Sequence, residues 1–170
     1  MTRKGPYMSV GVPAYRGEQV LRQSLPALLA SDVPRAQWEL IDVDDASPDD
    51  TAAVAAEYAD VVVRLRGGPR GPAYARNRGT EASRGEIIVF IDADVCVDSP
   101  TLGKFVAAFR TEPELAAVFG SYDANPSAPG IVSQFRNLLH HHVHHQNAGE
   151  AESFCAGCGA VRRHVLLEVG

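Results

Sequence analysis

The chain holds only two lysines, Lys4 and Lys104, and three cysteines, Cys96, Cys155 and Cys158. Three thiols are too few for a disulfide framework and point to a reducing compartment. No apolar run approaches the roughly 20 residues that cross a bilayer. The opening Met1-Thr2-Arg3-Lys4-Gly5-Pro6-Tyr7 lacks the apolar core of a signal peptide. These absences predict a cytoplasmic protein, with a place at the cytoplasmic face of a membrane also open. A net charge of −5 argues against a nucleic-acid partner, because such binders carry a basic face. There is no G-x-x-x-x-G-K-[ST], no G-x-G-x-x-G after the first strand-like run and no G-x-S-x-G. P-loop, dinucleotide-binding and nucleophile-elbow chemistries are thereby set aside. Repeats and low-complexity tracts are missing too. With 170 residues, 45% apolar and 22% charged, the chain suits one domain with a sizeable core, residues 1–170.

Strand-like and helix-like segments alternate. Tyr7–Ala14, Trp38–Val43, Asp60–Leu65, Glu86–Ile91, Leu115–Tyr122 and Phe154–Arg162 read as strands. Gly17–Ser31 carries Leu21, Leu25, Leu28 and Leu29 on one helical stripe, with Pro26 expected to kink or break it. Ser47-Pro48-Asp49-Asp50 reads as a helix start with Ser47 as N-cap, and that helix should reach Tyr58. A small-residue helix follows the loop 67–72 and runs to Ser83. Ser99-Pro100 should cap another, with Leu102, Phe105, Val106 and Phe109 on one face. Asp123–Gly130 reads as loop, Ile131–Gln146 as helix, and a last helix begins at Val165. This order predicts an α/β fold, a mostly parallel sheet flanked by helices. Ligands of such sheets bind beyond the carboxyl ends of the strands.

Three of those ends carry polar groups: Pro13-Ala14-Tyr15, Asp44-Asp45-Ala46-Ser47 and Asp92-Ala93-Asp94. The last ends the apolar run 86–91. On an extended backbone two acids at i and i+2 point the same way, and their repulsion needs a proton or a cation. A hard divalent ion, Mg²⁺ or Mn²⁺, suits oxygen ligands and leaves room for phosphate oxygens. The first expectation is therefore a metal-assisted site for a phosphorylated ligand; the alternative is a turn and helix cap.

The residues resemble the N-terminal part of a family 2 glycosyltransferase with the GT-A fold, which is Rossmann-like. The matching segments are Ser9–Tyr15, Asp44–Ser47, Gly71–Gly79, Gly85–Asp94 and Ala156–Arg163, in the family's order and spacing. The resemblance implies an inverting hexosyltransferase-type enzyme that moves a sugar from a nucleotide-diphosphate donor, a UDP-sugar first, to a saccharide, lipid-linked or protein acceptor. Pro13, Ala14 and Tyr15 would line the base pocket, and Asp45 would accept the N3–H of uracil. Asp92 would face the ribose or a metal-bound water. Asp94, with Asp92, would hold the Mg²⁺ or Mn²⁺ between the phosphates, and Ala93 and Arg76 complete the donor set. For Asp44 and Asp45 the alternative is helix capping; for Arg76 and Asn77 it is local backbone satisfaction. The same fold with GDP-mannose, or a truncated nucleotide-sugar binding module without catalysis, remain open.

The family's catalytic base is expected in an acidic motif beyond Gly170, so no base is assigned. Arg70 and Gly71 sit where they could approach the phosphates, whereas Glu18 reads as an early-helix charge. Cys155-Ala156-Gly157-Cys158 has redox or zinc spacing, but it falls in a glycine-rich strand that more simply lets backbone approach substrate. His140–His145 contains i,i+4 histidine pairs able to take a transition metal; the alternative is a solvated helix or one facing an acceptor or a membrane surface.

Overall fold

A computed structural model describes residues 5–124, 130–146, 149 and 153–169. The first four residues, the expected loop over 125–129 and the side chains of His144 and His145 lie outside the described residues. The elements are β1 (Met8–Ala14), α1 (Glu18–Leu29), a 3₁₀ turn (Arg35–Gln37), β2 (Trp38–Asp44), α2 (Thr51–Ala56), β3 (Val61–Arg64), α3 (Pro72–Ala82), β4 (Ile87–Ile91), α4 (Thr101–Thr111), β5 (Ala117–Phe119), α5 (Ile131–Gln146), β6 (Cys158–Arg162) and α6 (Arg163–Val169).

The six strands form one sheet in the order β3-β2-β1-β4-β6-β5. Strands β1 to β4 are parallel. β6 runs antiparallel to both β4 and β5, so β5 points the same way as β4. The mostly parallel α/β sheet expected from the sequence is present. The reversal of β6 was not legible, because strand direction is set by the preceding connection rather than by composition.

Every residue of β4 is buried, since both faces of the sheet are covered. On one face Val10, Leu40 and Val89 pack under Leu21, Leu25 and Leu28 of α1, Val54 of α2 and Leu102, Phe105 and Phe109 of α4. On the other, Ile41 and Val43 meet Ala75 of α3, and Ile88, Phe90 and Val161 meet Val165 and Leu166 of α6. Each fully buried Leu stabilises by about 1.5–3 kcal/mol.

Several boundaries depart from the sequence expectation. Ser47 does not cap α2. Its amide binds Asp44 Oδ1 at 3.0 Å and its Oγ accepts the Arg16 amide at 3.0 Å, so α2 starts at Thr51. Ser99 likewise gives its hydroxyl to the Ala30 carbonyl, 2.8 Å away, and not to α4. Pro26 does not break α1; it lies on the exposed side, where the Arg22 carbonyl it leaves unpaired can meet water. β5 and β6 are shorter than expected. Leu115 closes a turn onto the Glu112 carbonyl, and the residues before Cys158 form a loop.

At the amino edge of the sheet a latch joins three segments. Glu39 Oε1 accepts Ser9 Oγ at 2.6 Å and the Arg84 amide at 2.8 Å, while Oε2 takes the Arg84 guanidinium at 2.5 Å. In the middle of β2, Asp42 is fully buried, and neither carboxyl oxygen has a hydrogen-bond partner among the described residues. Burial, followed by the charge of Asp44, pushes its carboxyl up to about 8.

Candidate functional site

At the carboxyl edge, β1 and β2 end in register, Ala14 against Asp44. Both chains then turn sharply. Arg16 and Ala46 adopt left-handed φ values of 51° and 59°, a conformation that costs a residue with a Cβ about 1 kcal/mol. The Gly17 amide donates to Thr51 Oγ1 at 2.8 Å, tying α1 to the start of α2.

Beyond these ends lies a cleft of about 150 Å³ lined by Pro13, Ala14, Tyr15, Asp45, Pro69, Gly71, Pro72 and Ala75. It is apolar apart from one carboxylate. Asp45 is 3% exposed. Its oxygens accept the Arg70 amide at 2.9 Å and the Gly71 amide at 2.7 Å. A φ of +92° at Gly71, just before Pro72 opens α3, turns that amide towards Asp45. Each carboxylate oxygen has two lone pairs, so Asp45 keeps acceptor capacity for a ligand N–H. Arg70 itself does not reach the cleft's polar side: its guanidinium lies over the Tyr74 ring at 4.8 Å and donates to Tyr74 Oη at 3.0 Å.

A second, wider cleft of about 360 Å³ adjoins the first and shares Pro13, Tyr15 and Pro72 with it. Arg76, Asp92, Ala93 and Asp94 line it, together with Gly17 and Val20. The eight residues singled out from the sequence, Pro13, Ala14, Tyr15, Asp45, Arg76, Asp92, Ala93 and Asp94, thus line one continuous depression.

The geometry at Asp92 corrects the extended-strand picture. The Val95 amide donates to the Asp92 carbonyl at 2.9 Å, so residues 92–95 are a turn and the two carboxylates do not stand on one flat face. Asp92 also has a cation of the protein's own beside it. Arg76 donates to Asp92 Oδ1 at 2.5 Å. The Arg76 Nε is buried without a partner among the described residues. Ser24, the one polar residue on the buried stripe of α1, donates to the Ala93 carbonyl at 2.6 Å and pins the turn. That serine within a leucine stripe was the available sequence signal for this contact. On the other side a Cβ at Gly157 would stand 3.3 Å from Asp92 Oδ2, and the Gly157 carbonyl accepts the Asp92 amide at 2.9 Å. Gly157 therefore keeps space beside the carboxylate.

The donor set suits a hard cation only in part. Asp94 is exposed, and Asp92 retains Oδ2. Two carboxylates fit Mg²⁺ or Mn²⁺. Among the described residues no three His, Cys, Asp or Glu side chains could hold a metal, so remaining ligands would come from a bound phosphate and water. Glu18 pairs with Arg22 along α1, at 4.0 Å.

Cys155 and Cys158 are free and half-buried. Burial first, then Cys155 and Asp92, push the Cys158 thiol up to about 11, which disfavours the thiolate needed for redox chemistry or zinc. His140 stacks on Tyr122, with ring centroids 5.1 Å apart, and His141 Nδ1 lies 2.7 Å from the Tyr122 carbonyl oxygen. Burial, then the charges of Cys155, Asp94, Asp92 and Cys158, raise the Tyr122 phenol above its ordinary value. Sequence reasoning did not single out Tyr122, because nothing local relates it to Asp92.

Residues 9–170 match the model of glycosyl transferase family 2. Poly(ribitol-phosphate) beta-N-acetylglucosaminyltransferase TarS of Staphylococcus aureus strain Mu50 is 33% identical over 108 residues, covering 61% of this chain and 19% of that protein. The probable glycosyltransferase YdaM of Bacillus subtilis is 27% identical over 140 residues, covering 78% of this chain and 33% of that one. In solved structures, the mannosyltransferase PcManGT of Pyrobaculum calidifontis, in complex with GDP-Man and Mn²⁺, superposes with a TM-score of 0.74 at 27% identity, over 97% of this chain and 47% of that one. S. aureus TarS 1–349 with UDP-GlcNAc superposes with a TM-score of 0.72 at 24% identity, over 95% and 47% of the two chains. The chain spans a third or less of these two curated relatives and about half of these solved chains. With its sheet, its carboxyl-edge depression and a family match over nearly its whole length, the chain belongs to glycosyl transferase family 2 and has the GT-A fold.

Proposed function

We propose that this chain is the donor-binding part of an inverting, hexosyl-transferring enzyme that uses a UDP-sugar and a divalent cation. The observation that carries the reading is the pairing of two clefts along one sheet edge. One is small, apolar and closed by a single buried carboxylate; the other is polar and holds Arg76, Asp92 and Asp94. A planar base fits the first, with Pro13 and Tyr15 as walls and Asp45 accepting a ring N–H. The diphosphate fits the second. There Arg76 supplies the positive charge that a phosphate oxygen needs.

Asp94 and Asp92 would hold Mg²⁺ or Mn²⁺, which when bound neutralises charge gathering on the leaving diphosphate. The protein's own residues do the rest. Asp45 and Tyr15 orient the nucleoside, Arg76 draws the diphosphate to the carboxyl end of β4, and Ser24 fixes the turn that carries both acids. In the inverting displacement an acceptor hydroxyl attacks the anomeric carbon from the face opposite the diphosphate, which departs with the bonding electrons. No residue of this chain is assigned as the base that takes the hydroxyl proton. Exposed Ile131, Val132 and Phe135 on α5 support an acceptor or membrane surface at that helix; no described helix is long and apolar enough to cross a membrane.

A second reading keeps the fold and takes GDP-mannose. It is favoured by the superposition on PcManGT, solved with GDP-Man and Mn²⁺. Thermal unfolding with UDP and with GDP, each with and without Mn²⁺, separates the two. A UDP shift that needs Mn²⁺ and is lost in Asp94→Ala supports the first; a larger GDP shift supports the second. A cooperative transition with no nucleotide shift would overturn both. Nucleotide binding without transfer or hydrolysis would identify a binding module.

A further inference from the structure

Three charged residues line the wider cleft, one cation against two carboxylates: Arg76, Asp92 and Asp94. Arg76 comes from α3, which lies close against β2. Ala75 is buried there, and a Cβ at Gly79 would stand 3.2 Å from Val43 Cγ2. Thr80 Oγ1 donates to the Arg76 carbonyl at 3.0 Å. The guanidinium thus starts from a firmly seated helix. It reaches across to the end of β4 and donates to Asp92 Oδ1 at 2.5 Å.

Asp92 is held from another side as well. Its amide donates to the Gly157 carbonyl at 2.9 Å, and a Cβ at Gly157 would come within 3.3 Å of Oδ2. The carboxylate therefore has a fixed place. Oδ1 is committed to Arg76, so Oδ2 is the oxygen it can offer to a ligand. The pair is partly buried, with 18% of the Arg76 side chain and 40% of that of Asp92 exposed. Partial burial weakens screening, so the attraction exceeds that of an exposed surface pair.

These charges act on two ligands with opposite sign. A divalent cation is attracted by the acids and repelled by the guanidinium, which also occupies an oxygen that could have been a ligand. A nucleoside diphosphate is attracted by the guanidinium and repelled by the acids. Neither alone finds the cleft complementary. Together they do, because a hard cation offsets the acids while the phosphates supply oxygens that two carboxylates lack.

We infer that Arg76 competes with the divalent cation for Asp92, so that the cation and the nucleoside diphosphate are held firmly only together. Towards Asp92 it is a positioning residue; towards the diphosphate it is a binding residue. The inference rests on the nucleotide and divalent-cation reading above.

The test is titration of the full chain with Mn²⁺ alone, with UDP alone and with UDP at saturating Mn²⁺, by calorimetry and by electron paramagnetic resonance of free Mn²⁺. GDP replaces UDP if it binds the wild type more tightly. Asp94→Ala serves to subtract Mn²⁺ held elsewhere on the chain. In the wild type, UDP should tighten Mn²⁺ at least about tenfold, and Mn²⁺ should tighten UDP by the same factor. Arg76→Gln should move the two ligands in opposite directions. Mn²⁺ alone should bind roughly three- to tenfold more tightly, from the loss of a like charge nearby. UDP with Mn²⁺ should bind about tenfold more weakly, from the loss of a charge-assisted hydrogen bond. Arg76→Lys keeps the charge and should hold Mn²⁺ alone near the wild-type value. In an Asp92→Asn background the gain in Mn²⁺ affinity from Arg76→Gln should shrink, since the competition is for that acid. Loss of a merely structural arginine would weaken both ligands together. Mn²⁺ alone unchanged or weakened in Arg76→Gln, an undiminished gain in the Asp92→Asn background, or bound UDP that leaves wild-type Mn²⁺ affinity unaltered would each overturn the inference. A wild-type chain that takes Mn²⁺ but no nucleotide is a different failure, since it overturns the donor reading itself and the joint holding with it.

Discussion

At the residue scale the acids divide by environment rather than by spacing. Asp45 is buried against backbone amides, Asp92 is paired with a guanidinium and Asp94 is exposed. Asp42 is the exception, buried with no hydrogen-bond partner among the described residues. Its folded pKa of about 8 lies above the ordinary 3.8. Between these values the folded state keeps a proton that the unfolded state releases, so stability falls as pH rises from about 4 to 8. Asp42→Val should therefore raise the melting temperature more at pH 8 than at pH 5, with a gain on the order of a few kcal/mol at pH 8. Equal shifts at the two pH values would mean that Asp42 is not held protonated. Ala46, at φ 59°, suits glycine better. Ala46→Gly should stabilise the chain by about 1 kcal/mol, read from urea unfolding, with no loss of nucleotide affinity. Neither position was legible in the sequence as strained or unsatisfied, because burial and φ depend on what the rest of the chain places nearby.

At the scale of elements, the turn after β4 is shaped by its neighbours. The acids themselves were legible as Asp92-Ala93-Asp94 after an apolar run. Their turn geometry was not, since it depends on Ser24 from α1 and Gly157 from before β6, distant in sequence. Ser24→Ala removes one hydrogen bond and should cost about 1 kcal/mol of stability. If the Ala93 contact sets the angle of the acids, the variant should also bind UDP with Mn²⁺ several-fold more weakly. Unchanged affinity would show that the turn holds its shape without α1. The capping serines teach the same lesson. Ser47 and Ser99 have the right residue type before a helix, yet each finds a better partner outside it, because a hydroxyl bonds to whichever polar group tertiary packing presents.

Over the whole molecule, site and stability separate to opposite edges of the sheet. The Glu39 latch joins β1, β2 and the approach to β4 at the amino edge, while both clefts open at the carboxyl edge. Glu39→Ala strands Ser9 and the Arg84 amide and should cost about 2 kcal/mol. Chemical denaturation should show the loss, while nucleotide affinity of the folded protein stays at the wild-type value. A matching loss of affinity would show that the two edges are coupled through β1 and β2.

From sequence alone the α/β class, the alternation of elements and most of the residues lining the depression were readable. Apolar runs of strand length, leucines at helical spacing and acids at strand ends are local patterns, and each states its own environment. Tertiary structure alone decided the reversal of β6, the Arg76–Asp92 pair and the turn at Asp92. These depend on contacts between residues far apart in the chain, and those exist only once the sheet has set strand order and register.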